Sequence, residues 1–145
     1  MGATMRTGAG RRVVMAVLAG VLLPLAALAG QKDLAAQLDE TDPFELQATI
    51  MEVNSWNKYL IVAEKKVELV DFRKGGKRYK TMVRDWKGNT IRLEQLEKGQ
   101  WVFIRAYKLV DGTIAAREVY RLPGIVRNRK SFSFFQKVPP WQHVR

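Results

Sequence analysis

The sequence has no cysteine, a single histidine and no Asn-x-Ser/Thr acceptor, and each absence removes a class of chemistry. Without thiols there is no disulfide, no thiolate nucleophile and no Cys-based zinc, iron–sulfur or haem-attachment site. The one histidine, His143, is third from the end, so neither a Ser/His/Asp triad nor a multi-histidine metal site assembles within one chain. The carboxylates Asp71, Asp85, Glu94, Glu97 and Asp111 fall in expected turns or helix ends, where capping and solubility explain them. Gly75-Gly76 lacks the Lys-Ser pair and the following helix of a phosphate loop. No catalytic residue, metal or cofactor is therefore expected, and the protein reads as a non-enzyme. Acid is also scarce, with 14 acidic residues against 25 basic ones for a formal charge of +11.

Long apolar runs are missing as well. The uncharged run from Val13 to Ala29 is interrupted by Gly20 and Pro24 and falls short of the roughly 20 residues needed to span a bilayer. Arg6, Arg11 and Arg12 precede it and Ala27-Leu28-Ala29 closes it, the layout of a secretory signal with an Ala-x-Ala cleavage site. The expectation is residues 1–29 as a cleaved signal peptide, with an uncleaved anchor as the alternative, and a periplasmic or secreted mature protein without a membrane span. Loss of three arginines leaves 22 basic and 14 acidic residues, a formal +8. Such a chain folds on its core alone, without covalent staples.

What remains is long enough for one domain. Residues 30–42 read as a linker or short helix, with Leu34, Ala35 and Leu38 at helical spacing. From Phe44 to Ile50 apolar and polar residues alternate, then the phase slips at Glu52-Val53, which predicts a strand with a β-bulge. Strand-like segments follow at Tyr59–Ala63, Val67–Phe72 and Tyr79–Arg84, punctuated by Asn54-Ser55-Trp56-Asn57 and Lys74-Gly75-Gly76-Lys77. Leu93 and Leu96 with a stop at Gly99 predict one or two helical turns. Trp101–Lys108 and Thr113–Leu122 are joined by Asp111-Gly112, and the odd interval between Ala116 and Val119 predicts a second bulge. This order, over residues 43–123, predicts a mainly β fold: a small five-stranded Greek-key barrel with one short helix between strands three and four. The expected core is Ile50, Val53, Ile61, Val83, Leu96, Val102, Ile104 and Val119, with Leu96 plugging one end.

The run Val83-Arg84-Asp85, Gly88, Ile91, Leu93, Leu96, Gly99, Val102, Asp111-Gly112 and Ala116 resembles a family of OB-fold-like domains of unknown function found in exported bacterial proteins. The resemblance covers about half of the mature chain and implies fold and export. It carries no catalytic residues, and the basic Lys74–Lys80 stretch and the aromatic tail depart from the family's pattern.

Between Arg73 and Lys87 lie seven basic residues and one acid, with Tyr79 and Trp86 interleaved. On an OB-like barrel this region borders the usual ligand face, which makes Arg73, Lys77, Arg78, Tyr79, Lys80, Arg84 and Trp86 candidate ligand contacts. The alternative is a solvated hairpin whose lysines protect an edge. Trp56 and Tyr59 flank an earlier loop as stacking platforms or as rim packing. Trp101, Phe103 and Tyr107 lie opposite the core side of their strand and need a cover. Residues 124–145 form a basic aromatic tail in which Phe132, Phe134, Phe135 and Trp141 either bind a partner, adding a strand through Phe132-Ser133-Phe134, or dock on the barrel's own Trp101–Tyr107 face. The functional expectation is an exported binding module of the bacterial envelope whose ligand is an anionic polymer, lipid head groups or an envelope protein, nucleic acid being disfavoured by export. A structural or assembly subunit docking through its tail is the rival reading.

Overall fold

The computed structural model describes residues 34–144. The expected signal segment, residues 1–29, lies outside the described residues. Among the described residues nine strands form: β1 (Phe44–Asn54), β2 (Tyr59–Val62), β3 (Lys65–Leu69), β4 (Asp71–Lys74), β5 (Lys77–Lys80), β6 (Met82–Asp85), β7 (Trp101–Lys108), β8 (Ile114–Arg121) and β9 (Gln142–His143). Five close a barrel: β3, β2, β1, β7 and β8 pair in that order as antiparallel neighbours, and β3 runs parallel to β8 to complete the ring. The protein is mainly β, as the alternation predicts.

The expected strand Val67–Phe72 breaks at Val70. Its first half, β3, stays in the barrel, while β4 and β5 leave it as a hairpin over Gly75-Gly76, both with positive φ as a tight turn requires. The chain then returns to the same edge of β8 as β6, pairing Val83 with Val119, where β3 pairs Leu69 with Ala116. Thr81 closes the seam. Its hydroxyl donates to Ala116 O at 2.6 Å and accepts Val70 N at 2.8 Å, so the break leaves neither group unpaired.

Both expected bulges are present. Ile50 pairs with Val62 and Glu52 with Ile61, which leaves Met51 as the extra residue on β1. On β8, Ala106 pairs with Ala116 and Arg105 with Glu118, so Arg117 is extra and joins Glu118 on the outer face while Ala116 and Val119 both face inward. The core holds Ile50, Val83, Leu96, Val102, Ile104 and Val119 as expected, with Val53 packed at its rim. Ile61 is a correction. Leu60 and Val62 are buried and Ile61 is only half-buried, because the turn at Ala63-Glu64 fixes the β2–β3 register one residue out of the expected phase.

The helix is also placed differently. Between β6 and β7 there is only a 3₁₀ turn, Leu93–Gln95; Leu93 and Leu96 still reach the core from it. Among the described residues an α-helix, α1, lies over residues 34–40. Its Ala35 and Leu38 pack on Tyr79, Tyr107 and Ala115.

The tail supplies the other cover. The strand expected at Phe132–Phe134 is instead a pair of 3₁₀ turns, Arg129–Ser131 and Ser133–Phe135, and the tail's strand is β9, which pairs with β5 through Lys77–His143 and Arg78–Gln142. Phe134 stacks on Tyr120 with centroids 4.0 Å apart, and Phe135 meets Phe103 edge-on at 4.5 Å. Beneath them Arg105 and Glu118, 1% and 0% exposed, form an ion pair. Glu45 joins Arg105 at 3.3 Å, the Tyr120 hydroxyl donates to Glu118 at 2.9 Å, and Arg105 Nη2 donates to Phe134 O at 3.0 Å. A guanidinium thus ties the tail's backbone to the barrel.

Candidate functional site

A groove of about 800 Å³ runs from Gln142 at the tail's end, along the stretch from Arg78 to Arg84, to Lys58 near the β1–β2 loop. One wall is the end of β5 and all but the last residue of β6; the other is the segment Thr90–Glu94, held to β6 by Ile91 N to Val83 O and Asp85 N to Asn89 O. The turn between them is built by Asp85, whose carboxylate accepts from Lys87 N and Asn89 N at 2.9 Å each and from Asn89 Nδ2 at 3.0 Å. The Asn89 side-chain hydrogen bond leads the causes that hold the Asp85 carboxyl below its ordinary range, opposed by desolvation and aided by the two backbone donors. Leu69, Val70, Val83, Ile91 and Leu93 contribute apolar surface to the groove.

Charge in the groove is one-sided. Lys58, Arg78, Lys80, Arg84 and Arg92 line it against Asp71 and Glu94. Both carboxylates are engaged. Asp71 receives Nε and Nη2 of Arg78 at 3.0 Å each, and Glu94 lies 4.0 Å from Lys58. The Arg78 hydrogen bond is the main cause that lowers the Asp71 carboxyl, opposed by partial burial and aided by the charges of Arg78, Lys80 and Arg73. Lys80, Arg84 and Arg92 have no carboxylate partner among the described residues. Arg84 Nη2 meets only Met82 Sδ at 3.3 Å, and its Nε is buried without an acceptor. Such an orphaned donor is costly unless something completes it.

The structure brings together part of the candidate set. Arg78, Lys80 and Arg84 line the groove; Arg73 sits exposed on the hairpin, and Lys77 pairs with Asp39 of α1 at 3.4 Å. Tyr79 corrects the expected stacking platform. It is 2% exposed, stacked on Phe72 at 4.9 Å, with its hydroxyl donated to Asp39 at 2.8 Å. The alternation put Tyr79 on an open face because α1 and Trp141, which cover it, come from distant parts of the chain. Trp86 is partly exposed, with Lys87 5.1 Å from its ring centre and Phe132 edge-on at 6.1 Å, outside the groove. Trp56 is 91% exposed and borders a shallow hollow with Ser55, Lys58 and Glu94, so it adjoins the groove's far end. Tyr59 is half-buried and donates to Glu52 at 2.9 Å. Of the tail rings proposed for a partner, Phe134, Phe135 and Trp141 pack on the chain's own barrel and hairpin, and Phe132 packs on Phe134 at 5.4 Å.

Lys58 and Arg92 were missed by the sequence reading. They come from two separate segments, Lys58 from the β1–β2 loop and Arg92 from the stretch held to β6 by Ile91 N to Val83 O, outside the basic run that marked the other candidates. Among the described residues no group of three metal-ligating side chains converges, and no helix is long and apolar enough to cross a membrane. No family, curated protein or solved structure matches the chain, so the site is read from its own residues.

Proposed function

We propose that this protein is an exported, non-enzymatic binding module that takes an anionic ligand in the groove between β6 and the Thr90–Glu94 segment. The carrying observation is the groove's charge: five basic side chains, with both carboxylates already paired and Arg84 Nε buried without an acceptor. Three groups without a carboxylate partner facing one concavity focus the field on whatever enters it. The fold reading that accompanies this is an OB-like barrel, supported by the parallel pairing of β3 and β6 with β8 and by the order in which the strands close. Anionic polymers and lipid head groups are the ligand classes that suit the charge. The rival reading, a tail that docks on a partner, loses support because Phe134, Phe135 and Trp141 are occupied within the chain.

The test is a titration of heparin and of anionic vesicles against the protein and a variant carrying Lys80→Gln, Arg84→Gln and Arg92→Gln. Wild-type binding should weaken steeply as salt is raised, and the triple variant should bind at least about tenfold more weakly, a change of about 1.4 kcal/mol. A variant in which Arg73→Ser and Lys74→Ser remove charge from the hairpin alone should bind as wild type does. Equal binding by wild type and the groove variant would refute the proposal.

A further inference from the structure

Two buried arginines stand on the barrel's outer face, and they differ in one respect. Arg105 has Glu118 and Glu45 against it. Arg117, 9% exposed, ends on the Tyr107 hydroxyl and the Pro139 carbonyl, both neutral, and lies under the Trp141 ring with Cζ 4.4 Å from its centre. No carboxylate pairs with Arg117 among the described residues. A guanidinium that has given up most of its hydration and gained only neutral acceptors attracts an anion far more strongly than an exposed one does.

Beside it is a cavity of about 40 Å³ whose polar walls are Arg78, Lys80, Arg117, Trp141 and Gln142. Since a cavity needs about 10 to 15 Å³ to hold one water, this one has room for about three or four water-sized atoms, the size of one oxyanion group. Apart from the Gln142 amide oxygen, these polar side chains offer only donors. Trp141 Nε1 is buried with no acceptor. Arg78, Lys80 and Gln142 also line the large groove, so the two spaces share a wall.

We propose that this cavity is a seat for a single oxyanion group, a phosphate, sulfate or carboxylate, presented by the ligand of the groove. Arg117 and Lys80 supply the charge, and Trp141 Nε1 donates the hydrogen bond that fixes the group's position. The proposal rests on the groove reading above and adds to it the end of the groove at which the anionic group is held.

Calorimetric titration of the full chain with inorganic phosphate, inorganic sulfate and heparin tests it, the simple ions reporting the seat and the polymer reporting the groove. Phosphate or sulfate should bind; Lys80→Met should weaken that binding at least about tenfold, and Trp141→Phe, which keeps the ring and removes the donor, by about threefold or more. Arg92→Gln should weaken heparin and leave phosphate within about twofold. If Trp141→Phe alters folding, Lys80→Met decides alone, since Lys80 is exposed. Simple ions that fail to bind while heparin binds, or that bind Lys80→Met as tightly as wild type, would overturn the seat and leave the groove standing. Failure of all three ligands would remove both.

Discussion

Thr81 does more for this fold than its size suggests. Its hydroxyl spans the seam where the third barrel strand is interrupted, serving Ala116 O and Val70 N together in a buried site. Thr81→Val keeps the shape and strands both groups, so it should cost about 1 to 3 kcal/mol in denaturant unfolding, while Thr81→Ser should recover most of the loss. The Arg105–Glu118 pair makes a different prediction. Removing either partner leaves a buried charge, so Arg105→Met or Glu118→Met alone should cost about 3 to 5 kcal/mol, whereas the double replacement should be markedly less harmful than the sum of the two. Two tyrosines give the fold an alkaline limit. Tyr120 is pushed up to about 12 by burial first and then by the Glu118 carboxylate, and Tyr79 up to about 12 by burial first and then by its hydrogen bond to Asp39. Both ordinary values are 10.0, so the folded chain holds protons that the unfolded chain releases between those limits. Their stabilisation is fully present below about pH 10 and is lost as pH rises toward about 12. Unfolding midpoints across that window should fall, and Tyr120→Phe should flatten the fall; a midpoint independent of pH there would contradict it.

At the level of elements, local pattern carries what local pattern can decide. The phase slip at Glu52-Val53 and the odd interval between Ala116 and Val119 each mark a bulge, because an extra residue must break a period of two. The two-residue turn Ala63-Glu64 was hidden, since neither residue favours the positive φ that both adopt, 49° and 63°. With Ile61 flanked by apolar residues on both sides, nothing in the pattern fixed the phase of β2, and Leu60 and Val62 took the core. Leu60→Ala should therefore cost about 2 to 5 kcal/mol and Ile61→Ala distinctly less. Replacing Ala63-Glu64 by Asn-Gly, the pair that suits a turn with two positive φ values, should raise the unfolding midpoint; a lower midpoint would mean that another turn geometry is present. The helix misplacement has the same origin. Leu93 and Leu96 are spaced for a helical turn, and one 3₁₀ turn is enough to deliver both to the core.

For the whole molecule, the sequence shows the ingredients and hides their assembly. A closed barrel of five strands was legible from alternation and turns, and the aromatic tail was visible as unusual composition. Docking of the tail on the Trp101–Tyr107 face was one of two readings, and pattern alone did not choose between them. Arg105 sits mid-strand among apolar residues, and its partners Glu45, Glu118 and the Phe134 carbonyl come from three other parts of the chain. The groove is dispersed in the same way. Arg78, Lys80 and Arg84 were found because they are contiguous with a basic run, while Lys58 arrives from the β1–β2 loop and Arg92 from the segment held to β6. Helix α1 and Trp141 bury Tyr79 while Arg73 stays exposed outside the groove, which moves the site from the basic hairpin to the hollow beside it. One measurement separates those two places directly: amide chemical-shift mapping of the labelled protein during titration with a heparin fragment. The groove predicts that the largest saturable shifts fall on residues 78–84 and 90–94, and that added salt reverses them. Shifts centred on residues 73–77, with 90–94 unmoved, would contradict it.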